Sequence, residues 1–141
     1  MYGKVLLAAD GSKAAKMAAQ EVNKMIQQGL VKEVIILKAM PSLTDHYLLS
    51  PTEEQLKNAN KAGKKVTAKA KELITGNAVI TEKTITGDPA QVIANEAKKE
   101  NCDLIVMGSR GMNPAKGLLL GSVSHRVLQL APCPVLIVRQ K

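Results

Sequence analysis

Apolar residues along this chain follow two rhythms that alternate from end to end. Four short, nearly continuous runs rich in Val, Ile and Leu have the length and composition of strands buried on both faces: "KVLLAA" (4–9), "EVIILKA" (33–39), "DLIVMG" (103–108) and "CPVLIVRQ" (133–140). A fifth run at 78–85 is more polar, which predicts an edge strand. Between the runs, apolar positions return at helical spacing. After "DGS", Ala15, Ala18, Val22 and Met25 form one stripe, with Ser12 as the expected N-cap and Gly29 as the stop. Past a loop from 40 to 49, "SPTE" predicts a second helix with Ser50 at the cap, Pro51 at the first helical position and Glu53 closing a capping box. Gly76 is expected to end it. "GDPAQ" repeats the start signal with Asp88, Pro89 and Gln91, and a last helix is expected over 123–130, capped by Ser122 or Ser124.

Such alternation predicts the α/β class, a doubly wound, five-stranded parallel sheet with right-handed crossovers and helices on both faces. The 141 residues, 1–141, make a single domain able to bury roughly 70% of its unfolded surface. No internal repeat, low-complexity tract or linker interrupts it.

Composition narrows the function. Trp and Phe are absent, and Tyr2 and Tyr47 are the only aromatics, so stacking platforms for single-stranded nucleic acid are disfavoured. No apolar run approaches the ~18 residues of a membrane span, and "MYGKVLLAADG" is cut short by Asp10 as a signal peptide. A soluble, cytoplasmic protein with no membrane contact is the expectation. Cys102 and Cys133 sit in no CxxC and near no His at ligand spacing, which predicts structural thiols.

Twenty Lys and Arg against 12 Asp and Glu leave a net charge of +8, which concentrates any anion near the surface. Much of it lies at 56–73, where Lys57, Lys61, Lys64, Lys65, Lys69 and Lys71 interleave with Leu56, Ala59, Val66, Ala70 and Leu73 at helical spacing. Without an aromatic or Arg-rich reading surface, a solvated helix face is the better reading than a nucleic-acid footprint.

In doubly wound sheets ligands bind beyond the carboxyl ends of the strands, where strand order reverses. The polar and glycine-rich residues lie there: "ADGS" after the first strand and "MGSRG" after the fourth. In "MGSRGMNPAKGLLLGSVSHRV" (107–127), Gly108, Gly111, Gly121 and Ser122 fall at the spacing Gly-x2-Gly-x9-Gly-Ser. Glycine admits a ligand to bare backbone, and a helix N-terminus offers unpaired N–H groups, so the two together form an anion cradle. A capped loop that binds nothing fits the same residues. "AGKK" (62–65) lacks the first glycine and the hydroxyl of a P-loop, and no GxGxxG follows the first strand. His46, beside Asp45 in a loop, and His125, where a helix N-terminus opposes its cationic form, are not assigned catalysis.

On these residues the chain resembles the universal stress protein family, in the class marked by Gly-x2-Gly-x9-Gly-Ser/Thr, which 108–122 match in full. "VLLAADGS" is similar to that family's first strand and turn, "VIILKA" to its second strand, and "LGSVSHRVLQLAPCPVLIVR" to its C-terminal signature. The resemblance implies an ATP-binding domain with strand order 3-2-1-4-5. It implies that Ala8, Ala9 and Asp10 line the adenosine end, with Asp10 accepting hydrogen bonds from the nucleoside, and that adenine packs on Ala39. Met107 and Gly108 would lie beside the ribose. Gly111, Gly121, Ser122, Val123 and Ser124 would form the triphosphate cradle, Val123 through its backbone N–H. Arg110 either pairs with a phosphate or ribose or lies in solvent. Mg or Mn is expected to bridge the phosphates, held largely by them and by water. Lys38 stands where many members carry His, and Ala39 is smaller than the common Val, which implies looser adenine packing.

The expected function is an ATP-binding regulator of the stress response, a nucleotide-dependent switch read by an unknown protein partner. Two readings compete. One is a slow Mg-dependent ATPase, in which Arg110, Lys116 or His125 reaches the γ-phosphate. The other is a nucleotide-free dimeric adaptor that uses its basic surface. The resemblance also implies a homodimer through the strand at 134–140, opening on Pro134 and closing on Gln140. The alternative is an edge guarded by Arg139 and Lys141.

Overall fold

The computed structural model describes residues 2–42, 51–110 and 120–140. Strand and helix alternate as the periodicity predicts: β1 (Tyr2–Ala8), α1 (Lys13–Gln27), β2 (Val31–Met40), α2 (Glu53–Glu72), β3 (Val79–Thr86), α3 (Pro89–Lys99), β4 (Leu104–Gly108), α4 (Ser122–Leu130) and β5 (Val135–Val138). All pairings are parallel, in the order β3-β2-β1-β4-β5. The polar β3 is an edge, as expected. Strand order reverses at β1, which pairs with β2 on one side and β4 on the other.

Alternation along β1 divides the interior in two. Val5 and Leu7 join Ala18, Ala19 and Val22 of α1, Ala70 of α2 and Val34 and Ile36 of β2 in one core. Leu6 turns to the opposite face, with Ile35, Leu37, Ile105 and Met107 of the sheet, Ala90 and Ile93 of α3 and Val127 of α4. Val5, Leu6 and Leu7 are all 0% exposed, so β1 is covered on both faces. The stripe Ala15, Ala18, Val22 and Met25 is buried as predicted.

Helix starts follow the expected chemistry with one shift. Ser12 caps α1 by accepting the Ala15 amide at 3.1 Å. The cap of α2 is Thr52 instead of Ser50, which lies outside the described residues. Thr52 Oγ1 accepts the Gln55 amide at 3.1 Å, and Gln55 Oε1 accepts the Thr52 amide at 2.8 Å. The box therefore forms two residues later, with Glu53 and Glu54 in the first turn, where the helix dipole favours them. Asp88 caps α3, but the Gln91 side chain donates to Asn95 and completes only half of a box. The face that α2 buries is smaller than the apolar stripe suggested. It consists of Gly63, Thr67 and Ala70, while Leu56 is 45% exposed.

Two glycines have packing roles that periodicity does not show. α2 ends at Glu72 with Leu73 as its C-cap, so Gly76 does not terminate it. The Gly76 and Thr75 amides donate to Asn23 Oδ1 at 2.9 Å, and a Cβ on Gly76 would lie 2.6 Å from Ile26 Cγ2. At Gly108, the last residue of β4, an added Cβ would meet Ala14 C at 2.7 Å and Ala15 N at 2.9 Å. The first turn of α1 rests directly on that bare backbone.

Charged groups stitch β3 to α3. Lys83 bonds to Glu96 and, at 3.0 Å, to Glu100, whose backbone carbonyl accepts Lys4 Nζ at 3.1 Å. The hydrogen bond to Glu96, followed by that to Glu100, raises the Lys83 pKa above the ordinary lysine value. The Lys83 hydrogen bond in turn holds Glu100 below the usual glutamate value. Cys102 and Cys133 are free thiols in the α3/α4 core region. Burial, aided by Cys133, pushes the Cys102 thiol up to about 11, which favours the unreactive protonated form.

Gly108→Ala is expected to lower stability by about 1–3 kcal/mol through overpacking of backbone on backbone, read as a lower urea midpoint in ligand-free protein. Lys83→Met leaves the buried Glu96 without its counter-charge and is expected to cost about 3 kcal/mol. The Lys83 contribution is complete below pH 10.5 and fades as pH rises through its raised pKa. That of Glu100 is present above pH 4.5 and fades as pH falls through its lowered pKa. Urea titrations across pH should therefore show a gap between wild type and Lys83→Met that holds between those limits and narrows outside them.

Candidate functional site

The chain leaves β1 through a turn built by its own side chains. Asp10 Oδ1 accepts the Ser12 amide at 2.8 Å across Gly11, whose φ of 82° is a conformation glycine adopts without steric cost. The Ser12 hydroxyl donates to the Arg110 carbonyl at 3.4 Å, linking the exits of β1 and β4. Beyond β4, the Ser109 amide donates to the Val138 carbonyl at 2.9 Å, and the Gly121 amide donates to the Ser109 carbonyl. Ser124 is 2% exposed, and its Oγ lies 2.9 Å from the Gly108 carbonyl and 3.2 Å from that of Ser109. These bonds hold the start of α4 against the end of β4.

A cleft of about 130 Å³ opens where these elements converge. Its floor and near wall are Ala8, Ala9, Asp10, Leu37, Lys38, Ala39, Met107 and Gly108. Ala15, Pro89, Ile93, Arg110, Val123 and Ser124 close it from α1, α3, the exit of β4 and α4. Pockets that take whole drug-sized ligands measure roughly 300–1,000 Å³, so the described walls enclose only part of such a space, on the scale of one ring system.

Of the twelve residues expected at a site, the cleft brings together Ala8, Ala9, Asp10, Ala39, Met107, Gly108, Arg110, Val123 and Ser124. Gly121 and Ser122 do not line it; they are the N-cap and first residue of α4. Gly111 lies outside the described residues, as do His46 and Lys116. Neither serine caps α4: Gly121 holds that position without a side-chain hydrogen bond. The Ser124 hydroxyl is directed at strand carbonyls, whereas Ser122 is exposed. His125 is exposed and is not part of the cleft wall.

Ala15, Leu37, Pro89 and Ile93 complete the wall, although the sequence did not mark them as site residues. A signal for two of them was present. Asp88-Pro89 places the start of α3 at the carboxyl end of the sheet, and Ile93, four residues on, shares the face of Pro89.

The chemistry of the cleft is an apolar slot of small side chains with charge at its margins. Lys38 and Arg110 supply positive groups, and Asp10 supplies one carboxylate with an oxygen already committed to its own turn. The uncapped amides at the start of α4 add the positive end of a helix dipole. This arrangement suits a flat apolar ring carrying an anionic tail. Among the described residues, no three or more His, Cys, Asp or Glu side chains are grouped to hold a metal ion. No described helix is long and apolar enough to cross a membrane.

Known proteins share both the sequence and the architecture. The family model described as the universal stress protein family matches residues 1–139. The "Universal stress protein in QAH/OAS sulfhydrylase 3'region" of Thermus aquaticus is 41% identical over 140 residues, spanning 99% of this chain and 100% of that protein. The solved structure of protein MJ0577 of Methanocaldococcus jannaschii superposes with a TM-score of 0.80 at 28% identity, covering 100% of this chain and 98% of that one. A universal stress protein solved in complex with cAMP superposes with a TM-score of 0.72 at 25% identity, covering 99% of both chains. With its strand order and its sequence agreeing from end to end, the chain belongs to the universal stress protein family.

Proposed function

We propose that the cleft binds ATP, and that the protein is a nucleotide-dependent regulator of the stress response rather than a fast enzyme. The observation that carries this reading is the meeting, at the point where strand order reverses, of an apolar alanine slot with the uncapped start of α4. The complex of a family relative with cAMP supports an adenine nucleotide as the ligand class.

In this reading adenine lies on Ala39 and against Ala8 and Ala9, and the free oxygen of Asp10 accepts hydrogen bonds from the nucleoside. Met107 and Gly108 flank the ribose. The phosphates reach Gly111, Gly121, Ser122, the Val123 amide and the backbone at Ser124, with Arg110 beside them. A bound Mg²⁺ or Mn²⁺ would neutralise phosphate charge. Among the described residues no three His, Cys, Asp or Glu side chains are grouped to hold it, so phosphate and water would be its main ligands. Occupancy alters the surface formed by the exits of β1 and β4, which a protein partner reads.

The same reading makes the protein a homodimer. β5 pairs only with β4 among the described strands, and Leu136 on it is 36% exposed, so a second copy of the same edge would cover both. Light scattering at micromolar concentration should give twice the 15.1 kDa chain mass; a monomer mass overturns the dimer.

Calorimetric titration with Mg-ATP, and with AMP and GTP in parallel, should show saturable binding of ATP well above the other two. Gly121→Val should weaken ATP affinity by at least about tenfold, by placing a side chain where phosphate approaches. Since φ at Gly121 is −71°, the backbone there is one that any residue adopts, and the unfolding free energy from urea titration should change by no more than about 1 kcal/mol. Unchanged ATP affinity would remove Gly121 from the site, and equal heats from GTP would remove the adenine assignment.

A further inference from the structure

The turn between β1 and α1 has two sides, and the nucleotide cleft occupies only one. On the other side, toward α2, lies a second notch of about 130 Å³. Ala9 and Ala15 form part of both walls, so the two spaces share the turn as a partition. The notch is otherwise lined by Val66 and Ala70, by the bare backbone at Gly11, and by Lys16, Lys65 and Lys69.

Three lysines meet in the notch with no carboxylate among the residues that line it. Lys4, Lys24, Lys71 and Lys83 each pair with a carboxylate. Lys16, Lys65 and Lys69 make no ion pair among the described residues, and no carboxylate lines the notch. Lys65 and Lys69 stand at i and i+4 on α2, so their like charges share one face and repel. Lys16 lies near the start of α1, whose first turn carries no acid, at the end of the dipole that disfavours a cation. Three mutually unfavourable cations against an apolar wall focus positive potential into a concave space.

The geometry points to this notch as a second anion site, in which Lys16, Lys65 and Lys69 hold a phosphate group on the α2 side of the β1–α1 turn. It stands on its own residues and does not require the nucleotide reading of the neighbouring cleft. The phosphate belongs either to a small free phosphate compound or to the tail of a nucleotide reaching around the turn.

Inorganic pyrophosphate is the probe, followed by the backbone amide resonances of Gly11, Lys16, Lys65 and Lys69 in isotope-labelled protein. Saturable shifts at these four positions are expected. Affinity should fall by about tenfold or more in Lys65→Gln/Lys69→Gln, which removes two charge-assisted hydrogen bonds. Lys57→Gln/Lys61→Gln removes the same net charge one or two turns away on exposed positions of α2, and it should bind pyrophosphate nearly as wild type does. All these substitutions are on exposed lysines, and the urea midpoint verifies that each variant is folded. Pyrophosphate still shifting these amides in protein saturated with ATP identifies a free phosphate compound as the ligand. Pyrophosphate excluded by ATP, but not by AMP, identifies the nucleotide tail. Absence of saturable shifts overturns the proposal. Equal weakening in the two double variants overturns it as well, because the attraction is then the diffuse field of the whole surface.

Discussion

Everything in this molecule depends on β1 being buried on both faces between two parallel neighbours. A strand in that position has no polar side to show to water, so Val5, Leu6 and Leu7 need one core beneath α1 and α2 and another beneath α3 and α4. The same position makes β1 the place where strand order reverses. The chain leaves it at Ala8 with helices diverging to either side, and the space between them cannot be filled by the sheet. The cleft and the notch are therefore consequences of the topology: the cleft is lined by whichever residues end β1, β2 and β4 and begin α1, α3 and α4, and the notch by the β1–α1 turn and the second half of α2.

How closely those elements approach is set by small residues. Gly108 lets the first turn of α1 lie on β4, and Ser12 then ties α1 to the Arg110 carbonyl. On α2, Gly63 passes so near β3 that an added Cβ would lie 2.7 Å from Thr84 Cγ2. A protein without Phe or Trp has no large side chains to bridge wide gaps, and it fills its interior by bringing backbones together instead. The alanine slot at the cleft is a product of the same economy. It leaves a cavity because Ala8, Ala9 and Ala39 are too small to occlude it.

Charge is handled in two ways. Lys4 and Lys83 are held by Glu33, Glu96 and Glu100 across β1, β2, β3 and α3, where they fasten the edge strand to its helix. Most of α2 instead presents its lysines to water, as the helical spacing indicated. Lys65 and Lys69 differ from the others in facing a concave wall shared with the β1–α1 turn, where a charge is less screened than on an open helix face.

The amino-acid sequence by itself determined the α/β alternation, the edge character of β3, the caps at Ser12 and Asp88, and the end of the sheet where a site would form. Each of these is a local pattern, because side-chain period and capping geometry are set within a few residues along the chain. The α2 cap was misplaced by two residues, since Ser50 and Thr52 offer the same hydroxyl and only the folded backbone selects between them. Nine of the twelve expected site residues converge on one cleft, but their division of labour was not legible. Gly76 read as a helix stop and is a contact with Ile26. Gly108 read as a ligand's bare backbone and is also the seat of α1. Ser124 read as a cap or phosphate hydroxyl and bonds to the carbonyls of Gly108 and Ser109. The start of α3 was legible at Asp88-Pro89, and with it the face that Pro89 shares with Ile93, but that face became a wall of the cleft only through the packing of α3 on the sheet. Only the tertiary structure decided these roles. A residue whose identity is required by a partner far along the chain carries no mark of it in its own neighbourhood.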